Sequence, residues 1–351
     1  MLRHLLSDDL PRSRVLSVLL VLIVLALLLT PFLFPGAKAL GVAAKILVFI
    51  VLVASYDLLM GYTGIVSFAH TMFFGIGAYG VAISLTRFPQ QLGAMLAGVL
   101  AAIALSAMLA LVIGLFSLRV RAIFYAMITL AVASAFQTLA SQLSELTGGE
   151  DGLNFKVPEW FTPGFRLFED PILGASFDGK LITYYTVFSI AVVLFLVMLR
   201  IVNSPFGRVL QAIRENDFRA EALGYRVVVY RTLSNVLSAV FATCAGALLA
   251  LWLRYNGPDT SLSFEIMLDI LLMVVIGGMG TLYGAIVGAA LFVIAQSYLQ
   301  DLLKLGAGAV DGIPVVSALV TADRWLFWLG LLFVLSVYYF PAGVVGRLRK
   351  P

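Results

Sequence analysis

The sequence predicts an all-α, polytopic membrane protein, and three observations carry that prediction. Hydrophobic residues fill 62% of the 351 positions and charged residues only 12%, against about 25% charged in an ordinary soluble domain. A soluble core cannot absorb that much apolar surface, whereas a bilayer can. Uncharged runs of roughly 20 residues, the length a spanning helix needs, recur from Val15 to Phe340. Backbone polar groups inside lipid must be satisfied within their own segment, so these runs are expected as helices. Finally, the basic residues fall in alternate connections, as they do where cytoplasmic loops concentrate Lys and Arg.

About ten spans fit the chain, at roughly 15–34, 42–60, 71–87, 92–118, 122–143, 181–200, 229–253, 264–280, 283–303 and 323–341. The first follows Arg3, Arg12 and Arg14 and precedes Ala37-Lys38-Ala39, a loose match to a cleavage site. Signal h-regions run about 7–15 residues, and this stretch is longer, so it is read as a retained span. Placing segment 1–14 in the cytoplasm puts Arg119, Arg121, the basic residues from Arg200 to Arg231, and Arg347, Arg349 and Lys350 of the 342–351 tail on one side. A first transmembrane half, 15–143, and a second, 181–341, are then joined by an outer loop, 144–180. That loop carries seven acidic residues, Glu145, Glu150, Asp151, Glu159, Glu169, Asp170 and Asp178, against Lys156, Arg166 and Lys180. Five spans per half reverse the orientation of the second, which is compatible with inverted repeats of five, although the halves share no clear sequence similarity.

Several function classes drop out. The net charge of +4 is small and dispersed, so no nucleic-acid binding is expected. Cys244 is the single cysteine, which excludes an intrachain disulfide and a multi-cysteine metal site; it reads as a packed small residue. Only His4 and His70 could supply imidazole ligands, so no metal site is expected. Gly75-Ile76-Gly77-Ala78-Tyr79-Gly80 matches a dinucleotide-binding pattern, but that pattern needs a preceding strand and a βαβ unit. Within an apolar helix, Gly75 and Gly77 are instead expected to permit close helix approach. Gly174 to Leu181 nearly matches a phosphate loop, but Leu181 stands where a Ser or Thr would ligate Mg²⁺. The chain therefore holds no credible nucleotide site, catalytic constellation or cofactor site of its own.

Two connections lack charge altogether: Gly61 to His70, and Gly277-Gly278-Met279-Gly280. Non-helical backbone at membrane depth survives only where protein or a water-filled cavity surrounds it, and such breaks often line substrate sites. Tyr62, Thr63, Gly64, Ser67, His70, Gly278 and Gly280 are accordingly the candidate pathway residues; a tight turn at the membrane surface is the equal alternative. Gly280, Gly284 and Gly288 recur every fourth residue, so Gly284 and Gly288 are expected to form a smooth packing face, with a moving interface as the functional alternative. Ionisable residues within spans are functional candidates, here Asp57 and Asp269 with His70 and Glu265 near span ends, although Asp57 could equally cap a helix at the Gly61 break. They are few, and no relay of carboxylates crosses the membrane as a stand-alone secondary transporter would require.

The 203–228 segment is the most informative soluble stretch. After Asn203-Ser204-Pro205-Phe206-Gly207, residues 208–222 read as one short amphipathic helix, with Val209, Leu210, Ile213, Phe218 and Leu223 as its apolar positions. Arg208, Arg214, Glu215, Asp217, Arg219 and Glu221 supply its charge, and Gly224 suits its end. Such a helix can rest on membrane lipid or dock into a partner's groove.

Three blocks carry a family resemblance. Gly61 to His70 followed by Phe73-Phe74-Gly75-Ile76-Gly77-Ala78-Tyr79, then Ala212-Ile213-Arg214-Glu215-Asn216-Asp217 with Ala220-Glu221-Ala222-Leu223-Gly224, then Leu272 to Gly284 each resemble LivM-type permeases of branched-chain amino-acid ABC importers. Thr147-Gly148-Gly149 matches a further family element, and the resemblance runs from about residue 45 to 345. It implies a multi-pass protein of the bacterial inner membrane with both termini cytoplasmic. It also implies a second related permease subunit, two ATP-binding-cassette ATPase subunits that bind ATP and Mg²⁺, and a periplasmic solute-binding protein. Arg214, Glu215, Asp217, Glu221, Ala222 and Gly224 would then couple to the ATPase. Leu223 departs from the broader coupling consensus, where a second alanine is usual, and the spacing is contracted. The implied cargo is leucine, isoleucine or valine; relatives also carry urea, short amides or aromatic acids, and selectivity is set largely by the binding protein.

Overall fold

The computed structural model describes residues 13–34, 36–117, 122–166, 178–309, 324–340 and 342–348. The long helices, in chain order, are α1 (Arg14–Leu33), α2 (Ala37–Thr63), α3 (His70–Arg87), α4 (Leu92–Ser117), α5 (Ala122–Gln142) and α6 (Gly179–Val202). Two short helices follow, α7 (Pro205–Glu215) and α8 (Asp217–Ala222), and then α9 (Val227–Leu253), α10 (Phe264–Gly277), α11 (Leu282–Ala309), α12 (Trp325–Tyr339) and the short α13 (Gly343–Leu348). Among the described residues, nine helices are long and apolar enough to cross a membrane, with α10 extended back to Pro258 and α12 on to Leu348. The protein is thus a polytopic helical membrane protein. The stretch expected at 71–87 is helical as α3, yet α3 is not one of the nine. It spends several positions on Gly75, Gly77, Gly80, Thr71 and Ser84 rather than on apolar bulk, and nearly all of it is buried among other helices, where lipid does not judge it.

Side-chain contacts sort the helix ends. Arg214, just after α6, reaches the carbonyl of Gly61 near the end of α2, and Gly114 near the end of α4 packs on Thr232 near the start of α9. At the other end, the hydroxyl of Tyr185 early in α6 donates to the carbonyl of Leu28 late in α1 at 3.0 Å, and Lys38 early in α2 pairs with Asp301 late in α11. Successive long helices therefore alternate in direction. One end of the bundle carries α7, α8 and α13; the opposite end carries a small antiparallel pair, β1 (Leu153–Asn154) with β2 (Tyr255–Asn256), in which Leu153 faces Asn256.

Burial falls from centre to rim. The spanning windows of α2 and α9 are 61% and 67% buried, against 17% in α4. The outer helices present Val18, Leu22, Leu100, Met108, Ile123, Met127 and Val334 to the surroundings. An apolar exterior of that continuity exceeds the few hundred Å² that a soluble monomer tolerates, and it is the surface a bilayer requires.

Inside, backbones touch. A Cβ placed on Gly77 would stand 1.9 Å from the carbonyl oxygen of Thr243, and one on Gly246 would stand 1.8 Å from that of Phe74, so α3 and α9 cross at main-chain contact. A Cβ on Gly75 would meet the Leu262 side chain at 2.2 Å. The turn between α10 and α11 closes in the same way: a Cβ on Gly277 would lie 2.0 Å from the Gly284 carbonyl, and one on Gly288 2.0 Å from that of Met273. Several buried hydroxyls and amides are paired within or across these seams. Thr243 donates to Ala239 O at 2.8 Å and lies 2.7 Å from Ser106 Oγ, Asn235 Nδ2 donates to Ala110 O at 2.9 Å, and Ser238 donates to Ser55 O at 2.6 Å.

The loop expected at 144–180 is partly structured. Thr147 donates to Ala140 O at 2.6 Å, Gly148 closes the helical turn Ser144–Thr147 with φ +77°, and Arg254 Nη2 donates to Phe161 O at 3.0 Å. Gly174 of the near-match to a phosphate loop lies outside the described residues, as do Glu169 and Asp170, while Asp178 caps α6 by accepting from the Leu181 N–H at 3.1 Å.

Candidate functional site

The 203–228 segment differs from its expected form. In place of one helix over 208–222, the chain forms α7 and α8 with a break at Asn216 (φ −161°, ψ 102°). The cause is local: Ser204 caps α7 with Pro205 in its first turn, and Asn216 Oδ1 accepts from the Arg219 N–H at 2.8 Å, starting a new helix. The break changes which apolar residues are buried. Leu210, Ile213 and Ala220 pack inward at 0–2% exposure, whereas Phe218 and Leu223 stand out at 80% and 72%. Glu215, Asp217, Glu221 and Ala222 are exposed beside them. Gly224 (φ +92°) ends α8: its N–H donates to Glu221 O at 2.8 Å, and the Tyr225 N–H donates to Ala220 O at 3.1 Å. This paired closure needs a left-handed residue, which glycine adopts without strain. Asp217 also forms an ion pair with Arg231 at 3.5 Å, tying α8 to α9.

Arg214 is itself exposed, but its guanidinium turns the other way, back over the end of the bundle. Its Nη1 donates to the Gly61 carbonyl, and a Cβ on Gly280 would stand 2.6 Å from that nitrogen. A Cβ on Gly64 (φ +73°) would stand 3.3 Å from Arg214 Cγ. Beneath the guanidinium, fully buried Asp57 accepts from the Gly280 N–H at 2.8 Å through Oδ1. Asp57 therefore caps no break of its own helix; it holds the α10–α11 turn across the seam. Gly278 (φ +116°) completes the arrangement against α13, where its Cβ would meet the Ala342 carbonyl at 3.0 Å. The two uncharged breaks, separated by more than 200 residues, thus meet at one point, and Arg214 is seated on it.

The rest of the first break is packed. Tyr62, Thr63, Ser67 and His70 are each 1–3% exposed. His70 Nε2 lies 2.8 Å from Ser55 Oγ, and its ring meets Tyr56 edge-on at 5.1 Å. The Ala69 N–H donates to Ser67 Oγ at 3.3 Å, and the Phe68 N–H donates to Thr129 Oγ1 at 3.0 Å. In this arrangement both breaks are turns between antiparallel helices at the α7 end of the bundle. The role of Asp57 was not legible in the sequence beyond its being a carboxylate within a span, because its partner lies 223 positions away. Among the described residues, no group of His, Cys, Asp and Glu side chains is arranged as metal ligands.

Clefts open on the bundle, among them one of about 610 Å³ at the outer loop beside Arg254 and two between the helices. Of these two, one, about 780 Å³, is walled by apolar residues of α3, α4 and α5 such as Ile83, Ala97 and Phe136. The other, about 550 Å³, mixes charged and apolar lining and lies between α2, α9, α10 and α11 at the end opposite Arg214.

Residues 38–337 match the family described as the branched-chain amino acid transport system permease component. The chain is 27% identical over 288 residues to the LivM high-affinity branched-chain amino acid transport system permease protein of Salmonella typhimurium, an alignment covering 78% of this chain and 67% of that protein. It is 26% identical over 250 residues to a probable branched-chain amino acid transport permease LivM of Methanocaldococcus jannaschii, covering 70% and 67%. It is 26% identical over 309 residues to the BraD permease of the corresponding Pseudomonas aeruginosa system, covering 83% and 89%. No solved structure matches the chain.

Proposed function

We propose, because this chain belongs to the branched-chain amino acid transport system permease family, that it is one membrane-spanning subunit of an ATP-driven importer. The importer would carry branched-chain amino acids across the bacterial inner membrane by alternating access. A second related permease would complete the pore, two ATP-binding-cassette subunits would bind ATP and Mg²⁺, and a periplasmic solute-binding protein would deliver the cargo. The α7 end, with both termini, faces the cytoplasm in this reading, and the β1–β2 end faces the periplasm.

The observation that carries the proposal is the two-sidedness of the 205–224 segment. Outward, α8 offers Phe218 and Leu223 among charges, a surface suited to a groove on a partner. Inward, Arg214 of α7 grips the point where α2 and the α10–α11 turn meet. A push on α8 from a closing ATPase pair is thereby delivered to two inner helices. ATP then shifts the permease between inward-open and outward-open states only as far as it binds one of them better. The candidate pathway residues, from Tyr62 to His70 with Gly278 and Gly280, adjoin this point and would be displaced first.

The composition of the complex recovered from the native membrane on tagged, solubilised chain tests the reading. Two ATPase subunits and a second permease are expected. A chain recovered alone that still transports in vesicles without ATP would replace the importer by a stand-alone transporter.

A further inference from the structure

The 550 Å³ cleft is lined by Lys38, Asp259 and Glu265 as well as by three polar side chains from three helices that are joined by hydrogen bonds. Lys45 Nζ of α2 donates to Gln296 Oε1 of α11 at 2.8 Å, and Gln296 Nε2 donates to Asp269 Oδ2 of α10 at 3.3 Å. Cation and anion thus face each other through an amide. The ion pairs formed among the described residues are Lys38–Asp301 and Arg231–Asp217, and Lys45–Asp269 is not one of them. Charges within spans are costly, and a pair serving structure alone gains most by closing into direct contact. Here the Gln296 amide keeps the two charges apart, and Phe49, Trp252 and Ile266 wall the cleft with apolar surface. A cleft of this size falls within the range of small-molecule sites.

We infer that this cleft binds a zwitterionic α-amino acid, with its carboxylate on Lys45, its ammonium group on Asp269 and its side chain against Phe49, Trp252 and Ile266. The Gln296 amide displays the required polarity: its oxygen faces the lysine and its N–H faces the carboxylate. An amino acid presents the same polarity with a full charge at each end, so both hydrogen bonds become charge-assisted on both sides. The inference rests on the transport role proposed above and places the cargo at the end of the bundle remote from the coupling segment. The same helices reach both places. Lys45 and Asp57 lie on one continuous α2, about 18 Å apart at a helical rise of about 1.5 Å per residue, and α10 runs from Asp269 to the Gly277 end of the seam.

The test is equilibrium binding of radiolabelled L-leucine to the purified complex in nanodiscs, competed by L-leucinamide, which lacks the carboxylate, and by 4-methylpentanoate, which lacks the ammonium group. On the unaltered protein each competitor is expected to be weaker than leucine by about tenfold or more, the loss of a charged hydrogen bond. Lys45→Met should abolish the discrimination against leucinamide and keep that against 4-methylpentanoate; Asp269→Asn should do the reverse. Competitors as effective as leucine on the unaltered protein overturn the site, with no variant required to fold. Variants that discriminate as the parent does, in a complex that imports leucine, overturn the site and leave the importer standing. Charge-dependent binding without ATP-driven transport would support the site and overturn the importer.

Discussion

At the residue scale, the side chains that define the molecule are those for which geometry leaves no substitute. Arg214 reaches the Gly61 carbonyl through Nη1 of its planar guanidinium while its stem lies against Gly64, where a Cβ would come within 3.3 Å of Cγ. A lysine carries the charge but not the planar group. Arg214→Lys is therefore expected to leave assembly and ATP hydrolysis in place while transport per ATP falls several-fold, and Arg214→Ala to do so more severely. The ratio of transport to hydrolysis in proteoliposomes checks this, and an unchanged ratio in both variants would detach Arg214 from coupling. Glycines divide in the same way. Gly246→Ala would drive a methyl into the Phe74 carbonyl and is expected to destabilise by about 1–3 kcal/mol or more. Gly330→Ala, in the middle of α12 with nothing within 4 Å, is expected to be neutral or stabilising by up to about 1 kcal/mol. Thermal unfolding of the two purified variants should move in opposite directions or in one direction only for Gly246.

At the element scale, α8 is a short helix whose existence depends on its caps. Asn216→Ala removes the side-chain oxygen that accepts from Arg219 N–H at 2.8 Å, a loss of about 1 kcal/mol for a typical cap. Faster hydrogen exchange confined to residues 217–222 is the expected signature. Phe218→Glu tests the outward face: at 80% exposure the ring contributes nothing inward, so the permease should keep its melting temperature while its recovered ATPase content falls. Full ATPase recovery with that variant would mean that α8 is not the docking surface. Glu221→Lys, a charge reversal on the same exposed face, is expected to uncouple hydrolysis from transport without dissociating the complex.

At the scale of the whole molecule, helices α2, α3, α9 and α11 form a core whose neighbours meet lipid, and the coupling and binding roles proposed above lie at its two opposite ends. The proposed orientation follows from charge and is open to direct measurement. In a Cys244→Ala background, Trp160→Cys near the β1–β2 end should react with a membrane-impermeant maleimide from outside intact cells. Glu221→Cys at the α7 end should react only after the membrane is opened. Equal reactivity of both from outside would reverse or refute the topology.

Composition and hydropathy alone were sufficient for the helical membrane class, since a chain with 62% hydrophobic residues can be solvated only by lipid. Local signals also placed the short surface helices before Gly224, that glycine terminus and the glycine-lined crossings, because caps and small-residue spacing act within a few residues. The break at Asn216 was missed although its cap is local, because the apolar periodicity runs across it. What only the tertiary structure decided was which distant segments share a surface. Asp57 with Gly280, Arg214 with Gly61, and Lys45 with Gln296 and Asp269 are separated by between 27 and 251 positions. No periodicity records such pairs, because helix packing brings them together only after each helix has formed.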